Sequence, residues 1–274
     1  MLFKSCVKFV AACAFLAAGS LSSAAATCGN TADGFNAWLT DFQQLAMANG
    51  ISQSTLNQAL SGVSYDRKAI SLDRGQKKTF SQSFEKFAST RANAGAIALG
   101  KKAYKRNAQL LSQVEAAYGV PGEVVVALWG LETGFGNFSG NKGVFAPLAT
   151  LAYDCRRSAF FTNELISALK ILQRGDLTLS EMKGAGFGEL GQTQFLPSKY
   201  LAYAVDGDGD GRRDLIRSVP DVLYSTANYL RGHGWIPGAG YQEGEPNFKV
   251  FNDWNLSTVY QQTIAYYAGK IAAN

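Results

Sequence analysis

One carboxylate at the end of an apolar run stands out as a group that could do chemistry. It is Glu132, in Val124-Val-Val-Ala-Leu-Trp-Gly-Leu-Glu-Thr-Gly-Phe-Gly136. Val120-Pro-Gly-Glu before it has the composition of a helix start, with Pro121 in the first turn. Gly134 and Gly136 read as its stop. A carboxyl beside Trp129, Leu131 and Phe135 is poorly solvated, which favours its neutral form. The partial negative charge of a helix C-terminus acts in the same direction. A carboxylic acid that stays protonated near neutral pH is what a general acid requires. The alternative is an exposed glutamate at a helix end.

A second cluster is Lys183-Gly-Ala-Gly-Phe-Gly-Glu-Leu-Gly-Gln-Thr-Gln-Phe-Leu-Pro-Ser198. Its glycines allow close backbone approach, and Gln192, Thr193 and Gln194 set neutral hydrogen-bonding groups beside Phe195. That lining suits a neutral ligand rich in hydroxyl and acetamido groups. Taken alone, the stretch also reads as a turn before a helix. A third cluster, Asp206-Gly-Asp-Gly-Asp-Gly-Arg-Arg-Asp214, places carboxylates at alternate positions with Gly at the sixth, as in the first half of an EF-hand calcium loop. Arg212 at position seven would contribute its backbone carbonyl. Position twelve is Arg217 rather than Glu, so Asp221 is the residue available to close a longer loop. Hard oxygen ligands on a flexible loop favour a structural Ca2+ over Mg2+. The alternative is a solvated acidic turn. His233, the single histidine, is expected at a helix C-terminus, and no Gly-x-Ser-x-Gly elbow exists to recruit it.

The elements that must carry these groups are mostly helical. Apolar residues at helical spacing mark helices over Phe35 to Ala48, around Phe80, Phe84 and Phe87, over Ala108 to Tyr118, Ser158 to Gln173 and Pro220 to Arg231, with a last helix capped by Ser257. Asn247-Phe-Lys-Val-Phe251 is the best strand candidate, and residues of about 65 to 105, more polar, read as a connecting or flanking subdomain. Residues 1–26 have the pattern of a secretory signal peptide: Lys4 and Lys8, an apolar run, then Ala24 and Ala26 at the cleavage positions. The apolar run is too short for a membrane span. Cys13 and Cys28 lack the context of a lipid anchor. Cleavage leaves residues 27–274, enough for one large domain or two small ones, and lowers the formal charge from +5 to +3. No basic run resembles a nucleic-acid patch. Cys28 and Cys155 remain, and an even count in an exported chain suggests a disulfide. No Cys/His cluster supports zinc.

Taken in order, Gly130-Leu-Glu-Thr-Gly-Phe-Gly136, Leu148-Ala-Thr-Leu151, Arg156-Arg157, Gly191-Gln-Thr-Gln-Phe-Leu-Pro-Ser198, the acidic loop and Ala227-Asn-Tyr-Leu-Arg-Gly-His-Gly-Trp235 resemble the lytic murein transglycosylase B family. The resemblance spans nearly all of 27–274 and is strongest from about 115 to 236. It implies a mainly α protein with a lysozyme-like helical core at about 108–236, additional helical segments, a very small strand content and a C-terminal substrate-binding segment at 237–274. It implies a monomeric periplasmic enzyme without a chemical cofactor. The enzyme would cleave the β-1,4 bond between N-acetylmuramic acid and N-acetylglucosamine in peptidoglycan glycan strands and leave 1,6-anhydro ends. By the same resemblance Glu132 is the acid/base. Gln194, Tyr229, Trp254, Asn255 and Tyr260 match substrate-binding positions. Asp206, Asp208, Asp210, the Arg212 carbonyl and Asp221 match an extended EF-hand-like loop between residues 206 and 221.

Four positions depart from the better-known members. Ala185 stands where a Ser often orients the acid, Phe160 replaces a Tyr, Trp254 often is Tyr, and Glu189 stands where a small residue is usual. Glu189 carries the most weight. A second carboxylate near Glu132 supports a conventional two-carboxylate hydrolase, a role open to Asp154 as well. Glu189 is equally able to form an ion pair or to position substrate. A third alternative is a catalytically silent cell-wall binding module.

Overall fold

The computed structural model describes residues 27–75 and 82–273. The proposed signal peptide, and Phe80 of the second predicted helix, lie outside the described residues. The chain is mainly α, built around α7 (Gly122–Thr133). The Val124–Leu131 run is apolar on every face, and Val124 through Trp129 are all buried. A helix that is hydrophobic all round belongs at the centre of a core. Its wrapping partners are α13 (Thr258–Ala272), α5 (Ala94–Arg106), α11 (Val219–Gly232) and α6 (Ala108–Tyr118). Pro121 occupies the N-cap of α7 rather than its first turn.

Two helices form a second layer, α8 (Phe145–Tyr153) and α9 (Ser158–Arg174), with Gly175 ending α9 in the left-handed region. The N-terminal helices α1 (Phe35–Ala48), α2 (Gln53–Leu60) and α3 (Arg67–Gly75) pack on this pair. Phe35, Trp38 and Tyr153 pack ring to ring at that seam. The Cys28–Cys155 disulfide forms and closes a span of 127 residues at the α8–α9 joint. Beside it, Arg74 binds Asp154 at 2.8 Å, and Arg156 and Arg157 both bind buried Asp73. Thus the α8–α9 joint is tied to the start of the described chain by one covalent bond and to the end of α3 by three ion pairs.

The polar segment at 65 to 105 is part of this body rather than a separate subdomain. It forms α3, α4 (Phe84–Arg91) and α5, and α4 and α5 pack on α13. Among the described residues, strand content is a pair of two-residue strands, β1 (Lys142–Gly143) antiparallel to β2 (Lys183–Gly184). The strand expected at Asn247–Phe251 is instead a 3-10 turn, Phe248–Val250, running into α12 (Phe251–Trp254). Buried Asn247 explains this. Its side chain accepts from the Ile236 N–H at 2.8 Å and donates to the Ile236 and Ala239 carbonyls at 2.9 Å, stapling two loops. Ser257 sits at the N-cap of α13, but its side chain makes no cap bond. Among the described residues no single helix is long and apolar enough to cross a membrane.

Candidate active site

Glu132 is the penultimate residue of α7, whose end is built to hold a sharp exit. Gly134 and Phe135 both take positive φ, and the Phe135 N–H donates back to the Trp129 carbonyl at 3.3 Å. A left-handed phenylalanine costs on the order of 1 kcal/mol or more and persists only where its surroundings over-determine it. Those surroundings are visible. Phe135 packs edge-on against Trp129, whose indole donates to Gln192 Oε1 at 2.8 Å. Thr133 Oγ1 accepts from the Gly136 N–H at 2.9 Å and donates to the Gln192 carbonyl at 2.5 Å. Gly136 is obligatory here, since a Cβ would run into the Gln192 amide. The end of the α7 helix is therefore bolted to the 188–195 loop.

Glu132 opens into a cleft of about 610 Å³. One wall is Leu131, Ala185, Phe187, Glu189 and the Thr193–Leu196 turn; the other is Asp253–Ser257 with Tyr260. Trp254 Nε1–H and Tyr260 O–H both donate to Glu132 Oε1, at 2.7 and 2.6 Å. Glu132 Oε2 takes part in neither bond. Burial pushes the Glu132 carboxyl above the usual carboxylate range, against the two donors and Arg91, which favour its charge. The sequence assigned the apolar setting to Trp129, Leu131 and Phe135. Leu131 does line the cleft, whereas Trp129 and Phe135 support the helix exit.

Gln194 also has positive φ, and its amide nitrogen donates to the Ser139 and Gly191 carbonyls at 3.2 and 2.7 Å. Both amide hydrogens are thus engaged by protein, and what Gln194 offers the cleft is its carbonyl oxygen. Gln192 is buried and structural, while the buried Thr193 hydroxyl at the cleft wall has no hydrogen-bond partner among the described residues. Tyr229 donates to the Asp253 carbonyl at 2.5 Å, so it presents a ring rather than a free hydroxyl. That ring stacks on His233 at 4.1 Å and meets Trp254 at 5.0 Å. His233 is the C-cap of α11, with Nδ1 donating to the Tyr229 carbonyl at 2.7 Å and Nε2 facing Lys199 at 3.3 Å. Asn255 Oδ1 accepts from the Ser257 N–H at 2.9 Å and shapes the cleft's far edge.

Glu189 lines the same cleft, with Oε2 accepting from the Phe187 N–H at 3.0 Å. Burial and the Glu132 charge raise its carboxyl to about 7. Asp154, the other carboxylate considered, is absent from the cleft lining and is held by Arg74 and the Arg156 N–H. Phe160, Ala185 and Arg157 of the Arg156–Arg157 pair line the cleft, as do Arg91, Lys199, Asp253 and Leu256, which the sequence did not single out. For Arg91 a signal existed. It lies four residues after Phe87, on the same helical face, and its guanidinium sits 5.8 Å from that ring.

Away from the cleft, the acidic loop joins α10 (Pro197–Tyr203) to α11. Carboxylate oxygens of Asp206, Asp208 and Asp210 lie within 4.8 Å of one another, a spacing that fits a single hard cation. Asp221 takes a different position. Its two oxygens accept from the Gly207 and Asp214 N–H groups at 2.7 and 2.5 Å, so it shapes the loop from behind. The Arg212 guanidinium reaches the Asp176 carbonyl and Glu181, leaving its backbone carbonyl as the group relevant to a cation.

Residues 34–244 match the transglycosylase SLT domain family. The chain belongs to this family. The membrane-bound lytic murein transglycosylase B of Escherichia coli is 38% identical over 129 residues, 47% of this chain and 36% of that protein. The chain thus spans about a third of that curated relative. SltB3 of Pseudomonas aeruginosa, solved with NAG-NAM-pentapeptide, is 31% identical with a TM-score of 0.83, over 88% of this chain and 80% of that one. The lytic transglycosylase Slt35 of Escherichia coli, solved with calcium, shares the fold with a TM-score of 0.76 at 22% identity, over 90% and 96% of the two chains. The family's lysozyme-like fold is that of this chain.

Proposed function

We propose that this protein is a periplasmic peptidoglycan lytic transglycosylase that cleaves the β-1,4 bond between N-acetylmuramic acid and N-acetylglucosamine. Glu132 is its acid/base. The observation that carries this reading is the setting of that carboxyl, buried at a glycan-sized cleft with both protein donors on Oε1. An indole N–H can only donate, so the acid's proton belongs on Oε2. Glu132 Oε2 delivers it to the leaving O4 of N-acetylglucosamine as the C1–O4 bond breaks. The resulting carboxylate takes the proton of the muramyl C6 hydroxyl as the C1–O6 bond forms. The acid is regenerated, no water is consumed, and the products carry a 1,6-anhydro end. An intramolecular hydroxyl has a high effective molarity, which favours it over water.

The sugar rings would pack on Phe160, Phe195, Tyr229 and Trp254, with the Gln194 carbonyl, Thr193 and Asn255 serving hydroxyl and acetamido groups. SltB3 was solved with a peptidoglycan fragment, which supports this ligand class. In the acidic loop, Asp206, Asp208, Asp210 and the Arg212 carbonyl would hold Ca2+, with Asp221 fixing the loop behind them. Bound there, Ca2+ would neutralise three adjacent carboxylates and brace the α10–α11 joint. Residues 1–26 would direct export and be removed, and the rest would act as a monomeric enzyme.

Mass spectrometry of products from purified peptidoglycan tests the assignment. Anhydro-muramyl ends are expected from the wild type, and none from Glu132→Gln. Reducing ends one water heavier would move the reading to a two-carboxylate hydrolase.

A further inference from the structure

Glu132 and Glu189 face one cleft from two elements that the Thr133–Gln192 bond holds rigidly together. Neither carboxylate makes an ion pair among the described residues, although eight ion pairs occur elsewhere. The position of Glu189 is tightly fixed. Its carbonyl lies where a Cβ on Gly184 would be, so β2 and the glutamate pack backbone to backbone. Its Oε2 is held by the Phe187 N–H. Charged groups reach this cleft from every side: Arg91 from α4, Arg157 from α9, Lys199 from α10, Asp253 from α12 and the ionisable Tyr260 from α13. Lys142 approaches the loop at Gly186. Arg157 is engaged by Asp73 and Lys199 faces His233. Arg91 makes no ion pair among the described residues and acts on Glu132 through space.

We propose that Glu132 and Glu189 act as a coupled pair holding one proton between them, with ionised Glu189 facing the sugar carbon that becomes positive while Glu132 delivers the proton. This rests on the transglycosylase reading and adds a second charged group to it. Cleavage of the C1–O4 bond builds positive charge at C1 and on the ring oxygen. A fixed negative charge in a water-poor cleft stabilises that charge. With one proton in the pair, the arrangement that reacts is the one with Glu132 protonated and Glu189 ionised. Glu189 forms no bond to the sugar in this scheme, because the C6 hydroxyl closes the ring.

The active state is the pair with one proton, so activity follows a bell. Its upper limb lies near the value of about 7 at which the second proton leaves. Its lower limb marks loss of the first. Glu189→Gln keeps an acceptor for the Phe187 N–H and removes the charge. We expect kcat to fall by about 10²-fold with anhydro products retained. The acidic limb should vanish, and the remaining limb should move to lower pH because Glu132 has lost its negative neighbour. Glu189→Asp should restore the acidic limb. Thermal unfolding of both variants controls for damage to the loop. A Glu189→Gln enzyme that keeps the wild-type pH profile overturns the pair, whatever its kcat. Anhydro products from the wild type in that experiment would leave the transglycosylase reading intact. Reducing ends from the wild type would overturn both.

Discussion

Two sets of carboxylates are withdrawn from water in this molecule and are treated in opposite ways. At the α8–α9 joint, Asp73 faces Arg156 and Arg157, and Asp154 faces Arg74. In the cleft, Glu132 and Glu189 have no cation at ion-pair distance among the described residues, and burial raises both. In the first set guanidinium groups replace the lost solvation. The second set is left uncompensated, so its protons bind tightly enough to be passed to a substrate. The difference that matters is the neighbours: guanidinium groups face the aspartates, and none pairs with the glutamates among the described residues.

The largest test exchanges charge for an isosteric amide in each set. Glu132→Gln should lower kcat by about 10³-fold or more, because a general acid is removed outright, while glycan binding and the unfolding midpoint stay near wild type. Asp73→Asn should do the reverse. Its arginines are about 40% exposed, so the loss is discounted for solvent to about 1–3 kcal/mol, read by urea denaturation, with near-normal turnover. Similar kinetic losses in both variants would erase the distinction between the two sets.

The covalent bond beside the paired set gives the next effect. Cys28→Ser should cost about 2–4 kcal/mol, since the bridge closes a long span, with kcat unchanged in the folded fraction. The acidic loop is a third arrangement, carboxylates that would be neutralised by a cation supplied from solution. Ca2+ at a hundredfold excess over its Kd should stabilise by about 2.7 kcal/mol. Asp208→Asn should remove most of that gain in a thermal melt, with chelator as the reference.

Much of the scaffold could be read in the sequence because its signals are local. The α7 run carries its own start and stop, and the α9 periodicity ending at Gly175 and the Pro220-led α11 carry a helical period as well. Glu132 stood out for the same reason, a carboxyl at the end of an apolar helix. The far wall of the cleft did not. Trp254 and Tyr260 reach Glu132 across 122 and 128 residues, and no spacing rule encodes that meeting. Asn247–Phe251 alternates like a strand over five residues, too few to separate a strand from a turn that a buried asparagine staples. Asp221 was assigned as a ligand from its position, yet its oxygens are taken up by backbone N–H groups. Arg91 lay in a segment whose polarity suggested a connector, and only the packing of α4 on α13 brings it to the acid.

The smallest test acts inside the uncompensated set. Tyr260 O–H and Trp254 Nε1–H are the protein's only hydrogen-bond donors to Glu132 among the described residues, and both lower the acid's pKa against a larger effect of burial. Tyr260→Phe removes one donor and keeps the ring, so the Glu132 carboxylate loses stabilisation and its pKa rises. A hydrogen bond to a charged group is worth about 1.5–3 kcal/mol, and screening by the remaining donor brings the shift to about one pH unit. The basic limb of kcat/KM should therefore move up by about that much. Proton return from the C6 hydroxyl should become easier and proton delivery harder, leaving kcat at the optimum within a few-fold. Trp254→Phe should move the limb in the same direction, and the double variant by more than either. If the limb instead moved down, the two donors would be serving the neutral acid, and the proton would sit on Oε1 rather than Oε2.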